Sequence, residues 1–180
     1  MHARSIYYYG GFMMGTFIQA VDGTKIYVED VGSGQPVVFL HGWPANNNMF
    51  EYQKNLIVEE GHRYVGIDYR GYGKSDAPAT GYDYKTMASD INEVIEQLKL
   101  TNVTLLGFSM GGGIALSYLL QYGDSKVSKL VLAGAAAPVF TQRDGYPYGM
   151  TKEEVDALIA DTKQDRPSML KGFGEIFFAK

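Results

Sequence analysis

The feature that most constrains the fold is a serine flanked by glycines between an apolar strand-like run and a helix-like run. The segment Gly107–Gly111 reads Gly-Phe-Ser-Met-Gly, and the helical pattern follows over 110–122. A serine raised above the end of a sheet needs a tight strand-to-helix turn, and small residues must flank it because backbone crowds those positions. This context predicts that Ser109 is a nucleophile and that Gly107 and Gly111 provide the clearance. A glycine-rich turn without chemistry is the alternative interpretation.

Strand-like and helix-like segments alternate along most of the chain. This order predicts an α/β fold, with a mostly parallel sheet of about six strands, helices on both faces and right-handed crossovers. The first two strands are expected to form an antiparallel hairpin around Asp22-Gly23. The predicted strands are 17–21, 25–29, 37–40, 64–67, 103–106 and 127–133, and the predicted helices are 49–60, 84–100 and 110–122.

The sequence divides into three parts. Residues 1–13 are aromatic and glycine-rich, without strand alternation or helical spacing, and we interpret them as a leader or a tag-like segment. Residues 14–137 carry the alternating pattern of the core. Residues 138–180 carry only helical signals, among them a capping box from Thr151 to Glu154, and are expected to be the incomplete start of a helical cap.

Composition excludes several functional classes. The 16 basic and 20 acidic residues give a net charge of −4, and no basic block indicates a nucleic acid or an anionic membrane surface as partner. No apolar run reaches the roughly 18 residues of a membrane helix. The sequence has no cysteine, which excludes disulfides and thiolate metal sites and is typical of a cytoplasmic protein. We expect no metal and no cofactor.

A second motif, His41-Gly42-Trp43-Pro44, directly follows the third predicted strand. Acyl transfer requires two fixed N–H donors for the oxyanion of its tetrahedral intermediate. These donors come from the residue after the nucleophile and from the loop after this strand, which here are the backbone amides of Met110 and Trp43. We expect His41 to brace the loop together with Gly42. A role for His41 as the catalytic base is the less favoured alternative.

Three motifs together resemble the α/β-hydrolase superfamily, and in particular its bacterial branch of cofactor-free haloperoxidases, arylesterases and perhydrolases. They are residues 41–44, 68–76 and 107–113, and the likeness extends over about 14–180. The resemblance implies a serine hydrolase that acts on a small ester or acid substrate, with a possible perhydrolase or haloperoxidase side activity. It implies a mainly structural role for loop 68–76. A serine at position 109 excludes the dehalogenases and epoxide hydrolases of this fold, which need an aspartate there.

Family members place the triad acid and histidine after later strands than this chain contains. The position after the sixth strand, residues 134–137, has no carboxylate, and His62 precedes a strand at the end of the sheet opposite Ser109. The resemblance therefore predicts a C-terminally truncated chain that is inactive alone. It also predicts that the sixth strand is an open apolar edge, which would self-associate or pair with a separate C-terminal piece.

Two other functional interpretations remain open from the sequence. One is a non-catalytic ligand-binding or signalling protein on the same fold, and the other is a truncated product without function. The intact serine turn and the loop with Trp43 favour a hydrolase, because a binding protein does not need both features.

Overall fold

The computed structural model describes residues 8–9, 12–13 and 15–178. It divides into two compact units with a boundary between Ala137 and Pro138. In the segment interpreted as a leader, Tyr8–Tyr9 pairs antiparallel with Phe12–Met13, a pairing that the sequence pattern did not indicate. The other residues of that segment lie outside the described ones.

Six strands of the first unit form one sheet, in the order β1-β2-β4-β3-β5-β6. β1 and β2 form an antiparallel hairpin, β2 pairs antiparallel with β4, and the remaining pairs are parallel. The predicted mostly parallel six-stranded α/β fold is therefore confirmed. The strands are β1 Thr16–Gln19, β2 Lys25–Val31, β3 Pro36–Leu40, β4 Arg63–Ile67, β5 Val103–Phe108 and β6 Val127–Ala133.

Three α-helices accompany this sheet: α1 Glu51–Glu59, α2 Tyr84–Gln97 and α3 Met110–Tyr122. The first predicted helix begins instead as a 3₁₀ turn at Asn47, because the Asn46 side chain accepts the N–H of Asn48 and caps it. α2 ends before the predicted position because Lys99 adopts a positive φ of 54°, which interrupts the helical backbone.

Apolar side chains fill both faces of the parallel strands, as the continuous apolar runs predicted. The larger cluster joins the sheet to the inner faces of α2 and α3, and the smaller one lies on the other face. Successive residues of β3 show this division, since Val38 and Leu40 belong to the first cluster and Val37 and Phe39 to the second. Helices on both faces are confirmed.

β6 forms one edge of the sheet. Among the strands that the structure describes, it pairs only with β5. Its side chains are exposed or half-buried, and Val131 and Leu132 expose 40% and 45% of their surface. In the described residues this edge thus presents apolar side chains beside backbone groups that a further strand could pair with.

The second unit contains two helices, α4 Lys152–Gln164 and α5 Arg166–Phe177. The predicted capping box is present, because Thr151 accepts the N–H of Glu154 while the Glu154 carboxylate accepts the N–H of Thr151. Of the helices between residues 15 and 178, none is both long and apolar enough to cross a membrane.

Candidate active site

Ser109 lies in a sharp turn between the last residue of β5 and the first residue of α3. Its backbone has φ 51° and ψ −119°, a conformation that residues other than glycine rarely adopt. Such a conformation costs on the order of 1–3 kcal/mol and persists only where the surroundings impose it. The backbone of Ser109 is therefore strained, and neighbouring groups must hold it in this conformation.

Three backbone hydrogen bonds hold this turn. The Ser109 N–H donates to the Ala133 carbonyl at 3.1 Å, and the Ser109 carbonyl accepts the N–H groups of Gly112 and Ala136, both at 2.9 Å. Two of the three partners lie at or just after the end of β6. Strand β6 and the residues that follow it thus hold the backbone of Ser109, although they are not part of the turn.

The glycines around the serine are required by close approach. A Cβ on Gly107 would lie 2.5 Å from the Gly111 carbonyl oxygen, and one on Gly111 would lie 2.2 Å from the Leu40 carbonyl oxygen. Both distances are far below van der Waals contact. The first turn of α3 therefore packs directly on the backbone at the ends of β5 and β3, as the spacing of the motif predicts.

The loop after β3 passes beside the serine. A Cβ on Gly42 would lie 3.0 Å from both the Ser109 Cβ and the Phe108 Cδ1. The structure thus brings His41, Gly42 and Ser109 into one region, although they are nearly seventy positions apart in the sequence. Met110, the first residue of α3, lies there too, and the opening amides of a helix have no intrahelical acceptor.

Both ring nitrogens of His41 are engaged. Nδ1 lies 2.9 Å from the Gly42 carbonyl oxygen, and Nε2 lies 3.3 Å from the Tyr69 backbone nitrogen. A carbonyl only accepts and an amide N–H only donates, so the ring carries its proton on Nδ1. Burial lowers the pKa of His41 below 6.5, which favours this neutral form. With Nε2 occupied, the ring cannot take a proton from Ser109.

The Gly42 carbonyl accepts a second hydrogen bond, from the Ala45 N–H at 3.1 Å. In a trans peptide the C=O and N–H groups point in opposite directions. Because the Gly42–Trp43 bond is trans, the Trp43 N–H points away from His41 and Ala45. The orientation of this amide is therefore set by what binds the Gly42 carbonyl.

Loop 68–76 contributes a buried carboxylate that sequence reasoning treated only as part of a structural loop. Asp68 Oδ1 accepts from both the backbone N–H and the side-chain amide of Asn47, at 2.8 and 2.7 Å, and Oδ2 accepts the Lys74 N–H at 2.9 Å. Asp68 and Asn47 expose 1% and 3% of their surface. No sequence signal indicated Asn47 as the partner, because the pairing depends on how the two loops meet.

A second buried polar group on the same loop ties it to other elements. Arg70 forms a bidentate ion pair with Asp90 of α2, with N–O distances of 2.7 and 2.6 Å, and a further ion pair with Asp22 at 2.8 Å. The Arg70 and Asp90 side chains are each 2% exposed. The Arg70 guanidinium lowers the pKa of Asp22, and hydrogen bonds from Thr24 add to this effect. This network anchors the loop that holds His41 and Asn47.

The structure places the other described histidine away from Ser109. His62 directly precedes β4, at the end of the parallel strands opposite Ser109, and its N–H donates to the Ile57 carbonyl. Neither His41 nor His62 can serve as a base for Ser109. Between residues 15 and 178 there is also no cluster of acidic or histidine side chains suited to a metal ion.

Comparison with known proteins decides the family. A family profile described as alpha/beta hydrolase fold matches residues 35–168, which is most of the chain and includes both loops and Ser109. The chain belongs to this family. The resemblance that the three motifs indicated is confirmed, and esterases and haloperoxidases are both among its relatives.

Three relatives show how similar this chain is to known proteins of the family. The AB hydrolase superfamily protein YisY of Bacillus subtilis is 51% identical over 167 residues, covering 93% of this chain and 62% of YisY. An esterase from Exiguobacterium antarcticum is 89% identical, with a TM-score of 0.90, covering 91% of this chain and 61% of that one. A bromoperoxidase from Bacillus anthracis is 39% identical, with a TM-score of 0.84, covering 88% and 58%. The chain thus spans about three fifths of the length of these relatives.

Proposed function

We propose that this chain carries the nucleophile and the oxyanion-binding loop of a serine hydrolase acting on carboxylic esters. Ser109 would be the nucleophile, and the backbone amides of Trp43 and Met110 would stabilise the oxyanion. The observation that carries the proposal is the strained backbone of Ser109, at φ 51°, with the glycine of the adjoining loop against its side chain. Strain of this kind at a non-glycine residue is characteristic of functional sites.

The chemistry follows from this arrangement. The Ser109 oxygen adds to the ester carbonyl, and its proton passes to a base while the carbonyl oxygen becomes an oxyanion. Two amides on different elements and the positive end of the α3 dipole are suited to that charge. Collapse expels the alcohol and leaves an acyl-serine. Water then releases the acid, or hydrogen peroxide releases a peracid, which would fit the bromoperoxidase relative.

The base that activates Ser109 is the component that the described residues do not supply. His41 has both nitrogens engaged, and His62 lies at the far end of the strands. We propose that the acid and the base come from outside residues 15–178. Without an adjacent base a serine hydroxyl is a weak nucleophile, so the 180-residue chain alone should retain only a small fraction of the activity.

Hydrolysis of p-nitrophenyl acetate by the protein at its full encoded length tests the proposal. Ser109→Ala should lower kcat by about 10³-fold or more. Ser117→Ala is the matched control, because this serine lies on the same helix with its hydroxyl bonded to the Gln121 side chain. Its kcat should match that of the wild type.

Three results would contradict the proposal. Equal rates for Ser109→Ala and the wild type would show that Ser109 is not the nucleophile. Full activity of the isolated 180-residue chain would show that no outside acid and base are needed. An absence of any esterase or perhydrolase activity in the full-length protein would favour the non-catalytic binding interpretation instead.

A further inference from the structure

We infer that Asp68 and Tyr69, the first two residues after β4, orient the Trp43 amide by holding both ends of segment 41–47. In this inference Asp68 and His41 are positioning residues for the oxyanion site. It rests on the proposed function, since it assigns a task to groups that do not themselves touch the substrate. The inference also goes beyond the proposed function, because nothing in the serine chemistry requires the loop after β4.

The first hold acts at the start of the segment. The Tyr69 N–H donates to His41 Nε2 at 3.3 Å, which keeps the imidazole proton on Nδ1. That proton is donated to the Gly42 carbonyl at 2.9 Å. The ring is packed between Tyr69 and Tyr72, with centroid separations of 4.5 and 5.2 Å. The backbone N–H of Tyr69 therefore selects the His41 tautomer that donates to the Gly42 carbonyl.

The second hold acts at the end of the segment. Asp68 Oδ1 accepts two hydrogen bonds from Asn47, one from its backbone and one from its side chain. Oδ2 is engaged by the Lys74 N–H, and a Cβ on Gly73 would lie 2.0 Å from it. Three donors on one buried carboxylate leave it little freedom. Asn47 is also the first residue of the 3₁₀ turn, so this bond fixes where segment 41–47 meets the helix.

The segment between these two holds needs an external constraint. Gly42 has no Cβ, so its backbone can adopt more conformations than any other residue type could at that position. Rotation of the Gly42–Trp43 peptide would turn the Trp43 N–H away from its present direction. The turn bond from the Ala45 N–H to the Gly42 carbonyl is local and would move with the peptide. The hydrogen bonds to His41 and Asn47 come from Tyr69 and Asp68 in the loop after β4, and they would not move with the peptide.

Asp68→Asn tests the inference, with Asp76→Asn as the matched control. Both carboxylates lie on the same loop, but Asp76 accepts the N–H of Lys25 in β2, whereas Asp68 accepts from Asn47 of segment 41–47. An asparagine can keep one acceptor bond, whereas at position 68 its NH₂ group would oppose an N–H donor of Asn47 or Lys74. Asp68→Asn should therefore disturb segment 41–47, whereas Asp76→Asn should not.

The first readout is hydrogen exchange of the amides in segment 41–47, which needs no catalytic activity. Asp68→Asn should speed exchange there at least tenfold, and Asp76→Asn should leave it unchanged. The second readout is ester hydrolysis by the full-length protein, in which Asp68→Asn should lower kcat about ten- to a hundredfold with little change in KM. Asp76→Asn should change neither constant.

A second pair of variants keeps the test decisive if Asp68→Asn does not fold. His41→Asn can place an N–H donor near the position of Nδ1, whereas His41→Gln can reach only the position of Nε2. Each variant preserves one of the two ring hydrogen bonds. Because these two bonds act in series between Tyr69 and the Gly42 carbonyl, neither variant should recover the kcat that His41→Ala loses.

The failures are distinguishable. If wild-type protein hydrolyses no ester, the proposed function fails, and the exchange measurement still decides whether the loop after β4 orders segment 41–47. If the ester is hydrolysed but Asp68→Asn and Asp76→Asn behave alike in both readouts, the inference is wrong. Recovery of kcat by His41→Asn, which keeps the bond to the Gly42 carbonyl but loses the bond from Tyr69, would also overturn it.

Discussion

The replacement of Gly111 by alanine would test the packing at the centre of the site. Gly111 lies in the first turn of α3, where its own φ is not strained. An added Cβ would lie 2.2 Å from the Leu40 carbonyl oxygen and 2.7 Å from that of His41. Both obstacles are backbone atoms, which cannot move aside by changing a rotamer. Helix α3 would have to shift away from β3, and the Ser109 turn would shift with it.

The magnitude follows from two opposing effects. Alanine is favoured over glycine inside a helix by about 1 kcal/mol. Inserting a methyl group into close-packed backbone costs typically about 1–3 kcal/mol, and a separation of 2.2 Å belongs at or above the upper end of that range. The net loss should be about 2 kcal/mol, a substantial part of the roughly 5–15 kcal/mol by which a domain is stable.

Urea unfolding measures this loss, and Gly172→Ala is its control. Gly172 lies inside α5, and a Cβ there would meet nothing within 4 Å. Its replacement should be neutral or stabilising by up to about 1 kcal/mol. If Gly111→Ala proved as stable as Gly172→Ala, the reasoning from close approach at Leu40 would be refuted.

Three further predictions concern the ion pair, the buried imidazole and the sheet edge. Asp90→Ala should cost about 3–5 kcal/mol in urea unfolding because it leaves Arg70 buried without its bidentate partner, and replacing both by apolar residues should cost less. Burial holds the pKa of His41 below 6.5, so the unfolded chain binds more protons below that pH. The free energy of unfolding should fall as the pH drops from 6.5, by at most about 1.4 kcal/mol per pH unit, and less steeply in His41→Asn. In sedimentation velocity, Leu132→Lys on the β6 edge should reduce self-association of the 180-residue chain, whereas Leu120→Lys on α3, at a leucine that is 88% exposed, should not.

Hydrophobic periodicity and turn residues were sufficient to predict the fold. The limits of β6 and α3 agree with the expected 127–133 and 110–122, because Gly123 ends the helix with a φ of 72° and an apolar run defines the strand. The start of the helix near residue 49 was misplaced by two positions, because its cap is a side-chain hydrogen bond from Asn46 that the apolar pattern does not contain.

The candidate site was predictable in part. The glycine spacing around Ser109 indicates a crowded turn, and the structure has the corresponding close approaches. What could not be foreseen is which groups hold the neighbouring loop. The bonds from Asp68 to Asn47 and from Tyr69 to His41 join residues 21 and 28 positions apart, and they depend on the exact register of β3 beside β4.

Covalent labelling tests the central claim most directly. A fluorophosphonate reacts with an activated serine by forming an O–P bond and expelling fluoride, and the adduct is located by peptide mass spectrometry. In the full-length protein we predict one phosphonyl group per chain, attached to Ser109, and none after Ser109→Ala. A phosphonyl group attached to a different residue, or unchanged labelling of Ser109→Ala, would contradict the assignment.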